Sequence, residues 1–118
     1  MNATLKTSIA LAALVAVGCA SKQGPTPHSW ARAVQTAETR EAHERLAQHY
    51  DEIAQTMDAD AAEERAMLAQ YQASPHKYGK KIQDIKARAT AMVRDFEMAA
   101  QESRRMAAYH RELAAESR

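Results

Sequence analysis

The second half of the chain carries apolar residues at alternating steps of three and four positions. A repeat of this kind keeps one side of an α-helix apolar and is typical of the contact seam of a coiled coil. No glycine or proline interrupts it after Gly79. We therefore predict a helix over residues 80–116, with a seam formed by Ile82, Ile85, Ala89, Met92, Phe96, Ala99, Ser103, Met106, His110 and Leu113.

The first half carries a similar stripe and predicts a second long helix. Residues 30–73 contain neither glycine nor proline, and Ser29 before them is a residue type that commonly caps helix N-termini. The pattern predicts one helix over residues 30–73. Because Asp60 and Glu64 would otherwise fall in the apolar stripe, we expect a shift of phase, a stutter, between them. The predicted stripe comprises Leu46, Tyr50, Ile53, Met57, Met67 and Tyr71, with a shift to Ala61 and Leu68 around Asp60 and Glu64.

The two predicted helices are joined by residues 74–79, which contain the helix breaker Pro75. A connection this short makes consecutive helices antiparallel neighbours. Residues 30–73 contain four arginines and nine acidic residues, a net charge of −5, whereas residues 75–118 contain ten basic and six acidic residues, a net charge of +4. The expected fold class is all-α, with two long antiparallel helices forming a coiled-coil-like hairpin. Because such a hairpin buries little apolar surface, we also expect self-association into a bundle.

An uncharged apolar run lies near the N-terminus, in residues 8–17, and ends just before the only cysteine, Cys19. Its length of about ten residues fits the apolar core of a secretory signal peptide and falls short of the ~20 residues that cross a bilayer. Lys6 supplies the positive charge that normally precedes such a run. After Cys19 the chain becomes small and polar, with Gly24 and two prolines, which predicts a flexible tether over residues 19–29.

A charged start, an apolar run and small residues ending in Gly18 and Cys19 resemble the lipobox signal peptide of bacterial lipoproteins. That resemblance implies removal of residues 1–18 and lipidation of Cys19 by a diacylglyceryl thioether and an acylated amine. Ala20 is not the aspartate that commonly retains lipoproteins at the inner membrane, so the resemblance points to the periplasmic face of the outer membrane. Ala16 stands where the family most often has leucine. The alternatives are ordinary secretion, with cleavage near Cys19, and an uncleaved anchor.

Composition excludes one class of partner. Removal of residues 1–18 would leave 15 basic and 15 acidic residues, a formal net charge of zero, whereas a surface that binds nucleic acid is basic. The chain has no glycine-rich phosphate loop, no HExxH motif and no nucleophile elbow, so we expect neither catalysis nor a cofactor. The alanine-rich heptads around His49 and Tyr50 resemble a group of small bacterial envelope proteins without assigned activity, which implies architecture only. We expect a lipid-anchored structural or protein-interaction module, which pairs with itself or with another envelope protein.

Two histidines form a candidate metal-binding site. Folding the two helices together places His43 opposite His110, with Glu44 and Glu112 nearby. Two histidines and a carboxylate on facing helices can hold zinc or copper. The alternative function is therefore a periplasmic metal-binding or metal-stress protein using His43 and His110, whereas the competing interpretation makes both histidines polar seam residues near the helix ends. Aromatic and methionine side chains at helical spacing are interpreted as core: Trp30, Tyr50, Tyr71, Phe96, Met57, Met67, Met92, Met98 and Met106.

Overall fold

The computed structural model describes residues 29–117, which fold into helices and short connections. α1 comprises Trp30–Gln35, α2 comprises Arg40–Ala73 and α3 comprises Ile82–Glu116. α2 and α3 pack against each other as an antiparallel hairpin, which confirms the predicted all-α fold class. Within residues 29–117, no helix combines the length and the apolarity that crossing a membrane requires. The predicted signal peptide, Cys19 and the tether up to residue 28 lie outside the described residues.

The prediction of one helix over residues 30–73 is wrong, because the chain breaks between α1 and α2. Thr36 ends α1: its backbone N–H and its hydroxyl both donate to the Arg32 carbonyl, at 3.1 Å each. Thr39 then adopts an extended conformation (φ −111°, ψ 158°), and its hydroxyl accepts a 3.2 Å hydrogen bond from the Ala42 N–H. A threonine in this position satisfies one of the free N–H groups of a new helix, so it fixes the start of α2.

The other helix ends follow the sequence more closely. Ser29 precedes α1 as predicted, although its side chain forms no capping hydrogen bond. At the end of α2 the N–H of Ser74 donates to the Gln70 carbonyl at 3.1 Å, and the 3₁₀ segment Pro75–Lys81 follows. Gly79 has φ 57° and ψ −141°, a conformation that is nearly restricted to glycine because a Cβ would clash with the backbone. α3 begins at Ile82, close to the predicted start.

α2 and α3 pack through alanines. In each long helix a buried alanine recurs every seven residues, and none of these six side chains is more than 4% exposed. Small side chains allow the two backbones to approach closely, since the distance between helix axes depends on the residues at the contact. We call this set the alanine seam: Ala47, Ala54 and Ala61 in α2, and Ala100, Ala107 and Ala114 in α3.

Ion pairs line one side of the alanine seam. We call this side the charged flank; its pairs are Asp51–Arg111, Asp58–Arg104 and Arg65–Glu97. Successive pairs are seven residues apart in both helices, and the third pair has the opposite polarity. If α2 shifted by seven residues along α3 in one direction, Arg65 would face Arg104. A shift in the other direction would set Asp58 against Glu97. Exposed pairs contribute only ~0–1 kcal/mol each, so these charges select the register more than they add stability.

The predicted seam is correct for Leu46, Ala61, Ala89, Ser103 and His110, which are buried, and wrong for Met92, Met106 and Leu113, which flank the interface. Met92, Met106 and Leu113 are 44, 38 and 43% exposed, whereas Ala107 and Ala114, the residues that follow Met106 and Leu113, are buried. The charged flank lies on one side of the alanine seam. These large side chains occupy the heptad positions on the opposite side. We call this second side the apolar flank: Ile53 and Met67 in α2, and Met92, Met106 and Leu113 in α3. The interpretation of methionines as core is therefore also wrong for Met67, Met92, Met98 and Met106.

Glu64 lies in the seam and is only 5% exposed. The predicted stutter does not occur, since buried and half-buried positions keep steps of three and four through Ala61, Glu64 and Leu68. No hydrogen bond or ion pair of Glu64 is present in residues 29–117, and no enclosed side-chain oxygen or nitrogen there is left without a partner. Its carboxylate oxygens therefore still contact water, while the rest of the side chain is covered.

Replacement of Glu64 by leucine is expected to raise the free energy of unfolding by about 1–2 kcal/mol, because an apolar side chain gains from burial at a position where a carboxylate loses hydration. For a domain of this size that corresponds to a Tm increase of about 4–16 °C. Thermal unfolding followed by circular dichroism measures it. The matched control is Glu63→Leu at the exposed neighbouring position, where a change within ~0.5 kcal/mol is expected. Equal Tm values for the two variants would contradict the prediction.

Candidate functional site

The predicted histidine pair is present at the open end of the hairpin. His43 lies in the first turn of α2 and His110 in the last two turns of α3. The antiparallel packing brings their Nδ1 atoms to 3.2 Å from each other, which confirms that the two residues lie opposite. One ring donates its Nδ1–H and the other accepts, and the tautomers decide which ring does so. His110 is 8% exposed.

Three further rings, those of Trp30, His49 and Tyr50, connect this pair to α1. Trp30 of α1 stacks on His49 of α2, with ring centroids 3.9 Å apart and planes 12° from parallel. His49 contacts Tyr50 at 5.5 Å, and Tyr50 stacks on His110 at 5.6 Å and 10°. The sequence interpretation of Trp30 and Tyr50 as core residues missed the role of His49. Only the fold of α1 back onto α2 brings Trp30 to His49, and no residue spacing signals that contact.

The ionisation of His110 is shifted by its surroundings. Burial lowers the pKa of His110 below the ordinary histidine value, because the charged imidazolium loses hydration. The neighbouring His43 lowers that pKa further, since two positive rings at this distance would repel. The folded protein therefore favours the neutral form of His110, which is the form that binds metals.

Acidification is expected to destabilise the metal-free protein through this group. The unfolded chain takes up a proton on residue 110 near the ordinary pKa of ~6.5, whereas the folded chain resists protonation. Stability is therefore complete above that pH and is lost as the pH falls through it toward the lower folded-state pKa. Thermal unfolding in a chelating buffer between about pH 7.5 and 5.5 should show a falling Tm in wild type and a shallower fall in His110→Gln. Parallel pH profiles of the two proteins would count against this linkage.

Two cavities lie at the same end of the hairpin. One, of about 190 Å³, is lined by Arg40 and Glu44 of α2 and by Arg111, Ala114 and Ala115 of α3. The other, of about 310 Å³, lies beneath α1 and is lined by Trp30, His49, Glu52, Ile53, Thr56 and Met57. The first cavity is bounded by residues adjacent in sequence to both histidines, so the end of the hairpin is open to small molecules and water.

The other predicted candidates do not join the pair. Glu44 and Glu112 are exposed, and no group of three or more His, Cys, Asp or Glu side chains is placed to hold a metal within residues 29–117. Cys19, the predicted lipidation site, lies outside the described residues. The hydroxyl of Ser103 donates to the Ala99 carbonyl of its own helix at 2.8 Å. Within the described residues, the two facing imidazoles are therefore the strongest candidate for a functional site.

The remaining predicted core aromatics lie away from this end. Tyr71 packs edge-on against Tyr78 of the 3₁₀ segment, with centroids 5.1 Å apart, and Phe96 is half-buried in α3. They therefore stabilise the turn and the middle of the hairpin.

The chain matches no protein-family model, and no curated protein or solved structure is significantly similar to it.

Proposed function

We propose that this chain is a lipid-anchored protein of the bacterial cell envelope, whose helical hairpin serves as a structural or protein-interaction module without catalysis. The leader ending in Gly18 and Cys19 supports the lipid anchor, and residues 19–29 have the composition of a tether. The anchor would hold the hairpin at the periplasmic face of the outer membrane. Function then depends on which surface of the hairpin contacts other proteins.

The observation that carries the interaction role is the asymmetry of the two flanks. The charged flank is satisfied by its own ion pairs, whereas Met67, Met92, Met106 and Leu113 on the apolar flank remain 37–44% exposed. Large apolar residues in a row on a small helical protein favour a contact with another helix. Methionine is also well suited to such a surface, because its unbranched side chain adapts to the shape of the partner.

A second copy of the chain is the partner that this flank favours. Each hairpin presents apolar residues from both α2 and α3, so two hairpins related by a twofold axis would cover each other and form a four-helix bundle. A twofold axis parallel to the helices would set α2 of one copy beside α3 of the other. The charges favour that arrangement, because residues 30–73 carry a net −5 and residues 75–118 a net +4.

Membrane fractionation with intact mass spectrometry tests the anchor. We expect wild type in the outer-membrane fraction, with a mass that corresponds to a chain beginning at acylated Cys19. Cys19→Ser should lose both the acyl mass and the membrane association. As a sorting control, Ala20→Asp should keep the acyl mass and shift to the inner membrane, as the lipoprotein resemblance implies. An unmodified wild-type protein in the soluble fraction would refute the anchor.

A further inference from the structure

We propose that His43 and His110 form a two-nitrogen chelate for a divalent transition-metal ion, which clamps the open end of the hairpin. The site goes beyond the interaction role proposed above and is independent of it. It uses the two Nδ1 atoms as ligands, one from each long helix. Copper(II) and zinc(II) are the ions that this donor set favours, because imidazole nitrogen suits both metals and copper(II) binds most tightly in the divalent series.

The distance between the nitrogens supports a chelate. Two nitrogens bound at ~2.0–2.1 Å to a tetrahedral zinc ion lie about 3.3 Å apart, and the two Nδ1 atoms are 3.2 Å apart. At that bond length the ion lies to one side of the line between the two nitrogens, so each imidazole has to turn until its Nδ1 lone pair points at the ion. The separation of the two nitrogens is already that of two ligands on one ion.

The protonation state of the pair is also suitable. In the metal-free pair one ring carries its proton on Nδ1 and donates it to the other ring. On metal binding that ring moves its proton to Nε2, and both Nδ1 lone pairs face the ion. Two neutral rings therefore bind the metal without net release of a proton.

A water-accessible cavity lies near the two histidines. It measures about 190 Å³ and is lined by Glu44 and Arg111, the sequence neighbours of His43 and His110, although neither histidine lines it. Water from this cavity would complete a coordination of four. Arg111 pairs with Asp51, so part of its positive charge is compensated near the ion. Because only two protein ligands contribute, the site is suited to exchangeable metal rather than to a permanently bound structural ion.

Binding at this site would join two residues that are far apart in sequence. His43 and His110 are 67 residues apart, and the metal would link the start of α2 to the end of α3. A ligand that binds only the folded chain raises its stability by mass action. Metal binding is therefore measurable as an increase in Tm that depends on both histidines.

The experiment uses the full chain carrying Cys19→Ser, which removes the only thiol and with it a competing metal ligand. After treatment with a chelator and its removal, thermal unfolding is followed by circular dichroism with added copper(II), zinc(II) or nickel(II) chloride. We expect a Tm increase of several degrees, largest with copper(II). The increase should disappear in His43→Ala and in His110→Ala.

Two further variants keep the test decisive. His76→Ala, in the exposed 3₁₀ segment, should retain the full metal-dependent increase. His43→Gln preserves a polar side chain of similar size, so it should fold and still lose the increase. The proposal is overturned if no metal raises the Tm of the reference chain, or if the variants at positions 43 and 110 keep the increase. Because the readout is Tm against metal concentration, its outcome is separate from lipidation and self-association.

Discussion

Replacing Ala107 with leucine is expected to lower Tm by about 15 °C, a loss of roughly 3 kcal/mol in the free energy of unfolding. Ala107 is completely buried in the seam. The ion pairs Asp58–Arg104 and Asp51–Arg111 bracket it on the charged flank. Because these pairs fix the helix register, α2 and α3 cannot shift along each other to make room for the larger side chain. It must push the two backbones apart along the neighbouring heptads.

Thermal and urea unfolding of the Ala107→Leu variant measure this loss. Ala108→Leu is the matched control, because Ala108 is the next residue in the same helix and is exposed; its stability should change by less than ~0.5 kcal/mol. A seam built from large apolar residues would produce the opposite result, with Ala107→Leu tolerated. Equal stability of the two variants would therefore show that α2 and α3 do not pack through alanines.

The double variant Met106→Glu, Leu113→Glu is expected to weaken self-association of the chain at least ~100-fold, which corresponds to about 2.8 kcal/mol. Both residues lie on the apolar flank and are 38 and 43% exposed in one copy. In a bundle of two hairpins each substitution would occur twice, placing four carboxylates in an interface that excludes water. Burial of such charges without partners is strongly unfavourable.

Sedimentation equilibrium and size-exclusion chromatography with light scattering on the Cys19→Ser background measure this effect. The control is the double variant Gln101→Glu, Ala108→Glu, which adds the same charge at exposed positions away from the apolar flank. The control should associate like the reference chain, and both variants should keep their helical circular dichroism. A reference chain that is monomeric at high concentration would exclude the second copy as the partner. Equal weakening in both double variants would show that net charge, rather than the apolar flank, controls association.

Part of the candidate site was predictable from the sequence. A short turn near Pro75 and two helices of similar length place residues at matching distances from the turn opposite each other, so His43 and His110 could be paired by counting. The stack of Trp30 on His49 could not be found in this way. It depends on the break before Thr39, which lets α1 leave the line of α2 and fold back onto it.

Local sequence signals were sufficient for the all-α class, the two long helices and their antiparallel order. Helix propensity, the breaker Pro75 and the conformation available to Gly79 each act over a few residues, so their effects can be read without knowledge of the partner helix. The cap at Thr39 is equally local, because its hydroxyl accepts from an N–H only three residues along the chain.

The choice of buried face, by contrast, depended on tertiary structure. Hydrophobicity ranks Met106 and Leu113 above Ala107 and Ala114, so the sequence pattern alone assigns Met106 and Leu113 to the seam. The energy of a two-helix contact depends on more than side-chain hydrophobicity, because alanines permit a shorter distance between the backbones and let ion pairs form along one flank. That gain exists only when both helices are present. The alanine seam, and with it the exposed apolar flank, is therefore a property of the pair of helices.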